Sequence, residues 1–366
     1  MMAWLTVMMV AGALTATSLA WATAATRWFR GMPLLVCEAR RPNPWGLFDI
    51  AATFFCLLVL FGVAMQVLVA WFGLQPDTAF RNSSVRQQTL LMLAQSLVSG
   101  ATLVFSVAFI RLRTGASWRD LGLVPGKLGS DLRIGITAFV MLAPLVYLLQ
   151  WILVHWFASK HPLVELLKRE PNPRTIGIGI LSAVCIAPLV EEFFFRGLLQ
   201  GWLEQLAKGE TSGWAWLLGC GVGKPDRARH AGPPAAAEAD HAAAWSETTE
   251  LNGADETEWR DGQPELLAHA KSLTDALPPP DLSSPDNQLV HDNDAAECQA
   301  VWPVVASSLV FALLHYSHGP DWVPLFFLAL GLGYLYRQTH RIVPGIVVHF
   351  LLNAFSMGMF LVEVLG

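Results

Sequence analysis

Residues 176–199 read IGIGILSAVCIAPLVEEFFFRGLL, and the way this stretch is read decides the fold. A bilayer-spanning helix needs about 20 mostly apolar residues, and this run satisfies that while carrying Glu191, Glu192 and Arg196. A charge at the centre of a spanning helix costs about 2.5–3.5 kcal/mol on insertion scales, so ionisable residues there are functional candidates by default. On a helix Glu192 and Arg196 are i,i+4; they share a face and can pair. Glu191 is turned by about 100° and can address a different target. Pro188 removes a helix hydrogen bond just upstream and predicts a kink. The competing reading puts the three charges at the membrane interface, where the helix would end. Gly197, Leu198, Leu199, Gly201 and Trp202 continue the apolar pattern, so this stretch alone leaves boundary and site equally open.

The rest of the chain shares its apolarity. Of 366 residues, 54% are hydrophobic and 14% charged, with a mean hydropathy of +0.43. Soluble globular chains carry about 25% charged residues, which argues against an ordinary water-soluble enzyme, a coiled coil, a collagen-like chain or a fully disordered one. Fifteen Trp and twenty Phe suit aromatic anchoring at membrane interfaces. Eight segments are apolar enough to be candidate spans: Ala3–Ala24, Ile50–Leu74, Leu90–Ile110, Ile134–Phe157, Ile176–Leu199, Trp302–Tyr316, Trp322–Tyr336 and Ile342–Val362. The sixth and seventh are short; they either extend further, tilt, or stop short of spanning. The first has a second reading as a cleaved signal peptide, since Ala22-Thr23-Ala24 is an AxA-like site, but no Lys or Arg precedes it. The expected fold is all-α: a polytopic bundle of about eight transmembrane helices. Loop Lys and Arg divide 11 to 6 in favour of the loops after the odd-numbered segments, which predicts an external N-terminus.

Between the fifth and sixth segments the composition changes. Lys224 to Ala300 holds 16 acidic and 5 basic residues, Pro-rich runs and no sustained apolar periodicity, leaving 13 acidic and 19 basic residues elsewhere. Such a segment cannot bury enough surface to offset its ordering entropy, so it reads as a disordered acidic loop. The implied organisation is 1–133, N-terminal helices and basic loops; 134–223, the first part of a core; 224–300, the insert; and 301–366, the second part of that core. Basic residues placed between apolar runs are a membrane pattern, and no nucleic-acid partner is expected. Cys37, Cys56, Cys185, Cys220 and Cys298 show no CxxC pair or zinc-like spacing and predict no disulfide framework.

Two more polar points stand in apolar segments: His315 closes Phe311-Ala312-Leu313-Leu314-His315, and His349 and Asn353 are i,i+4 in His349-Phe350-Leu351-Leu352-Asn353. A lone His in an apolar helix is more often a packing residue, as expected of His155. Here three segments each present a polar cluster, and buried polar groups in lipid seek one another. Convergence on one intramembrane cavity follows. A buried carboxylate and a neutral imidazole can deprotonate water, and a His–Asn pair can donate hydrogen bonds to a developing oxyanion. That assortment suits amide hydrolysis. The absence of a GxSxG elbow disfavours an acyl-Ser route, and the absence of HExxH excludes ordinary zincin architecture.

With EExxxR at Glu191–Arg196, FxxxH at Phe311–His315 and HxxxN at His349–Asn353, in this order and each in an apolar segment, the chain resembles the CPBP (CAAX protease/Abi) family of intramembrane endopeptidases. That family includes type II CAAX prenyl proteases and bacteriocin-immunity and processing proteins. The flanks Phe195-Arg196-Gly197 and Gly331-Leu332-Gly333 are also similar, and the resemblance runs from about Ile134 onward. It implies that Glu191 and His315 activate water, that His349 and Asn353 form the oxyanion site, and that Glu192 and Arg196 orient them. The resemblance fits both a metalloprotease and a glutamate-driven, metal-independent mechanism on the same residues; no metal is expected to be required, and if zinc is bound, Glu191, His315 and His349 are the ligands. The implied partners are the lipid bilayer and a membrane-associated, in some cases lipidated, protein or peptide substrate, and the implied location is multi-pass in the plasma (inner) membrane. The alternative is a non-catalytic membrane scaffold or bacteriocin self-immunity protein of the same fold. A proton-coupled transporter also uses intramembrane acids, but the sequence shows no inverted repeat.

If the insert carries no core, its deletion should be tolerated. Replacing residues 224–300 with a short polar linker is expected to leave the thermal unfolding midpoint in detergent unchanged, because shortening a loop alters closure entropy only slightly. Loss of the folded membrane domain would show the insert to be structural.

Overall fold

The computed structural model describes residues 2–38, 42–73, 84–157, 162–169, 171–209, 214–219 and 300–365. Apart from Ala300, the acidic insert lies outside the described residues. Among those residues there are helices and no strand: α1 (Met2–Phe29), α2 (Leu47–Phe72), α3 (Val85–Thr114), α4 (Leu128–Trp156), α5 (Pro162–Arg169), α6 (Pro173–Ala207), α7 (Ala215–Leu218), α8 (Trp302–Leu314), α9 (Trp322–Thr339) and α10 (Val343–Leu365).

Long apolar runs become long helices because every backbone polar group in lipid must be satisfied within its own segment. Among the described residues, five helical stretches are long and apolar enough to cross a membrane: α2, α3, α4 with the 3₁₀ turn before it (Pro125–Trp156), α6 and α10. α8 has 13 residues and α9 has 18, in keeping with their short apolar runs. The protein is an integral, multi-pass membrane protein. The stops are chemical: Ser84 caps α3 by accepting from Gln87 N, and Gly115 ends it in the left-handed region at φ 70°.

α6 is central. It packs against α3, α8, α9 and α10, while α4 and α10 lie together, as do α8 and α9. Phe193, Phe194, Phe195 and Leu198 of α6 enter one buried cluster with Ile110, Phe311, Tyr336 and Ile342. A second cluster joins α4, α9 and α10 through Val146, Leu328, Leu332 and Val348. The α4–α10 approach depends on Gly135, where an added Cβ would stand 2.6 Å from Val347 Cβ; small residues let membrane helices come this close. α1 is tied to α4 at a break in its ladder. Pro144 has no N–H to give the carbonyl of Val140, and Thr17 Oγ1 donates to that oxygen at 3.0 Å.

Buried charge is not confined to residues 176–199, as the hydropathy pattern suggests. Asp49 and Asp131 lie in the first turns of α2 and α4 and are fully buried. The segments drawn from Ile50 and Ile134 begin after them, because the helices start before hydropathy rises. A helix N-terminus favours an acid, and Asp49 Oδ2 accepts from Gly46 N at 2.9 Å. Their partners come from the basic loops and helix ends: Arg113 pairs with Asp49, and Arg341 pairs with Asp131 at 2.6 Å and with Glu38. Burial works against the charge on Arg341, but hydrogen bonds to Glu38 and Asp131 outweigh it and raise its pKa above the usual guanidinium value. Cys37 is disulfide-bonded, contrary to the expectation from spacing, while Cys56 and Cys185 are free; pairing depends on spatial proximity, which spacing does not encode.

Removing one member of a buried ion pair costs about 3–5 kcal/mol, because it strands the other. Arg341→Ala is therefore expected to lower the unfolding midpoint clearly in detergent. An unchanged midpoint would show that Asp131 does not need its partner.

Candidate active site

The motif helix is not a regular α-helix. Within α6, an α-helical turn at Ala187–Glu191 sits between two π-helical stretches, Ile180–Ile186 and Glu192–Gln200. Pro188 supplies a reason: it has no N–H to donate and its ring crowds the carbonyl four residues back, which a widened turn accommodates. The interruption expected at Pro188 thus takes the form of π turns, a feature frequent at functional sites.

Glu192 and Arg196 pair as their spacing predicts, with Arg196 Nε 3.5 Å from Glu192 Oε2 and both side chains fully buried. Among the described residues the guanidinium makes no hydrogen bond. Its charge is met instead by Glu192 and by the face of Phe311, 5.0 Å away. From α10, His349 turns both ring nitrogens to α6: Nδ1 lies 3.3 Å from Glu192 Oε1 and Nε2 3.7 Å from Glu191 Oε2. The two neighbouring acids, splayed by the helical turn, thus grip opposite edges of one imidazole. Only a doubly protonated ring could donate to both; a neutral ring serves one and turns a lone pair to the other. His349 is nearly buried at 4%, whereas Glu191 keeps 23% of its side-chain surface exposed.

α10 can come this close because Gly345 stands opposite the acid. A Cβ there would lie 2.6 Å from Glu192 Oε2. Asn353, one turn beyond His349, donates from Nδ2 to the carbonyl of Ala183 at 2.8 Å. α10 is therefore pinned to α6 on both sides of Pro188, once in each π stretch. His315 ends α8, with Nδ1 2.9 Å from the carbonyl of Phe311 and its ring 4.9 Å from that of Phe311. Phe311 also meets His349 edge-on at 6.1 Å and Phe195 at 5.2 Å, so the three motifs gather around this one ring. His155, by contrast, lies on an exposed face, with Nδ1 2.8 Å from Trp151 O and its ring beside Trp151.

Sequence reasoning missed three supports. Gly345 carries no polar signal. Phe311 enters it only as a motif marker, although its i,i+4 spacing from His315 places the two on one face. Gln200 and Glu204 extend the Glu192–Arg196 face by further i,i+4 steps: Gln200 Nε2 donates to Glu204 Oε1 and to Gly333 O, both at 2.8 Å.

A zinc ion takes ligands at about 2.0–2.2 Å, and Glu191 with His349 could flank one. No group of three His, Cys, Asp or Glu suited to a metal occurs among the described residues. The Glu191–His315–His349 set therefore does not fit zinc as arranged, and His349 Nδ1 already faces Glu192.

The narrow space at Gly345 can be tested. Gly345→Ala forces the carboxylate or α10 to move, and overpacking a buried contact costs about 1–3 kcal/mol. A lowered unfolding midpoint is expected; an unchanged one would mean that the helices are not in this contact.

No curated protein and no solved structure matches the chain. A family model described as "Type II CAAX prenyl endopeptidase Rce1-like" matches residues 173–222 and 289–355. These spans contain Glu191–Arg196, Phe311–His315 and His349–Asn353, and begin at α6 rather than at Ile134. The three motifs meet at Phe311 and are matched in order, so over these two spans the chain is similar to the type II CAAX prenyl endopeptidase Rce1-like family.

Proposed function

We propose that this membrane protein is an intramembrane endopeptidase that cleaves membrane-associated proteins or peptides with water activated by Glu191. The observation that carries the proposal is the pair of contacts that sets Glu191 and Glu192 on opposite nitrogens of His349. Glu192 is committed to Arg196 and His349 and is buried; Glu191 is the more accessible acid and is suited to be the base.

In this scheme Glu191, aided by His315, takes a proton from water, and the oxygen adds to the peptide carbonyl carbon. The oxyanion that forms is met by N–H donors from His349 and Asn353, the latter through the amide hydrogen not given to Ala183. Collapse breaks the C–N bond, and the proton held by Glu191 passes to the leaving amine. Glu192 fixes the His349 ring as an orienting carboxylate. A positioned general base supplies typically 10²–10⁴-fold, and an oxyanion donor about 10²–10³-fold. The scheme is written without a metal, with Glu191 and His315 activating the water. We place the protein in the plasma (inner) membrane, with a lipidated or unlipidated membrane-bound substrate.

The test compares the termini of membrane proteins in cells carrying the wild type or Glu191→Gln, and repeats cleavage of an identified target with metal-depleted protein. New termini are expected only with the wild type, with cleavage by Glu191→Gln lower by about 10²–10⁴-fold and metal depletion without effect. Identical termini in both cells would sink the protease reading. A stoichiometric zinc whose removal abolishes cleavage, and whose return restores it, would sink the metal-free scheme.

A further inference from the structure

Away from the Glu–His site, a cavity of about 390 Å³ lies between α1, α4 and α9. That is within the range of small-molecule sites, about 300–1,000 Å³. Its walls are apolar, with Ala24 of α1, Met141 and Leu142 of α4 and Leu335 of α9 among them. Arg27, in the last turn of α1, and Arg133, in α4, also line it, and no acidic residue does. Both arginines are exposed. Arg27 is held in place by donating from Nε and Nη2 to the carbonyl of Pro33, at 3.1 and 2.9 Å. The α1 wall is fastened rather than loosely laid against the bundle: besides the Thr17–Val140 bond, Trp21 Nε1 donates to Met141 O at 3.2 Å.

We propose that this cavity binds an anionic phospholipid of the surrounding bilayer, with an acyl chain against the walls of α1, α4 and α9 and the phosphate at Arg27 and Arg133. Charge complementarity selects the occupant. Two guanidiniums without a carboxylate among the lining residues call for an anion, and basic pockets between membrane helices bind lipid headgroups. The apolar walls call for a chain attached to that anion, which a free phosphate lacks. Guanidinium is also the cation best matched to phosphate geometry. None of the lining residues belongs to the Glu–His site, so this inference stands independently of proteolysis.

The test uses the full-length protein, stripped of lipid and titrated by native mass spectrometry with phosphatidylglycerol or with phosphatidylcholine of the same chains. Each basic residue near a membrane surface contributes roughly fivefold to anionic-lipid binding. The wild type is therefore expected to prefer phosphatidylglycerol by about tenfold or more. The double variant Arg27→Gln/Arg133→Gln should bind the two lipids alike, while Arg27→Lys/Arg133→Lys should keep a preference. Ala24→Trp, which fills the cavity from α1, should abolish the selective binding without touching either charge. Equal binding of the two lipids by the wild type overturns the proposal, as does a preference that survives either the Gln pair or Ala24→Trp. Displacement of phosphatidylglycerol by an equal concentration of glycerol phosphate overturns it as well, since the walls would then add nothing.

Discussion

The carboxylate of Glu192 has been taken out of water, and the structure around it is organised to make that tolerable. An uncompensated ion in a low-dielectric interior costs several kcal/mol. Three devices offset it: Arg196 one turn away on the same helix, His349 from α10, and the bare backbone of Gly345, which lets α10 approach. Arg196 brings its own charge into the interior, and Phe311 presents an aromatic face to it. α6, α8 and α10 are thereby fixed relative to one another by electrostatics as well as by packing. With Glu192 held between Arg196 and His349, Glu191 projects beside it with a partner on the same imidazole and with access to the outside.

The same logic recurs at the margins of the bundle. Asp49 and Asp131 sit buried in the first turns of their helices and are each met by an arginine from elsewhere in the chain. Where a proline leaves a carbonyl without its helical donor, another helix supplies one, as Thr17 of α1 does for Val140 of α4. The breaks in α6 around Pro188 are treated similarly, for Asn353 donates to Ala183 within the widened turn. In lipid an unsatisfied backbone group has no water to fall back on, so irregular backbone and polar side chains are found together.

Much of this is legible in the sequence because polar residues in apolar helices are conspicuous. Glu191, Glu192, Arg196, His315, His349 and Asn353 stand out by contrast, and the i,i+4 rule pairs Glu192 with Arg196 before any coordinates. The helix-rich architecture follows from segment length alone. Residues acting through shape are silent: Gly345 matters only for what it lacks, and Phe311 looks like any other core aromatic. Partner choice is also hidden. The resemblance implies Glu191 acting with His315, and spacing puts His349 with Asn353; in the structure His349 faces both acids and Asn353 reaches Ala183. Asp49 and Asp131 escape notice because hydropathy places the helix starts too late. The acidic insert, read as disordered, lies outside the described residues.

The central claim is that Glu192 and His349 form one buried unit joining α6 to α10. A double-mutant cycle on unfolding in detergent, using Glu192→Gln, His349→Gln and the pair, tests it most directly. Residues in contact show interaction energies of about 0.5–3 kcal/mol, whereas distant sites add to within about 0.3–0.5 kcal/mol. The account predicts a coupling above 1 kcal/mol (order of magnitude, from the same range), with the double variant less destabilised than the two single effects combined. Strict additivity would contradict it and would separate the helices that the site requires to meet.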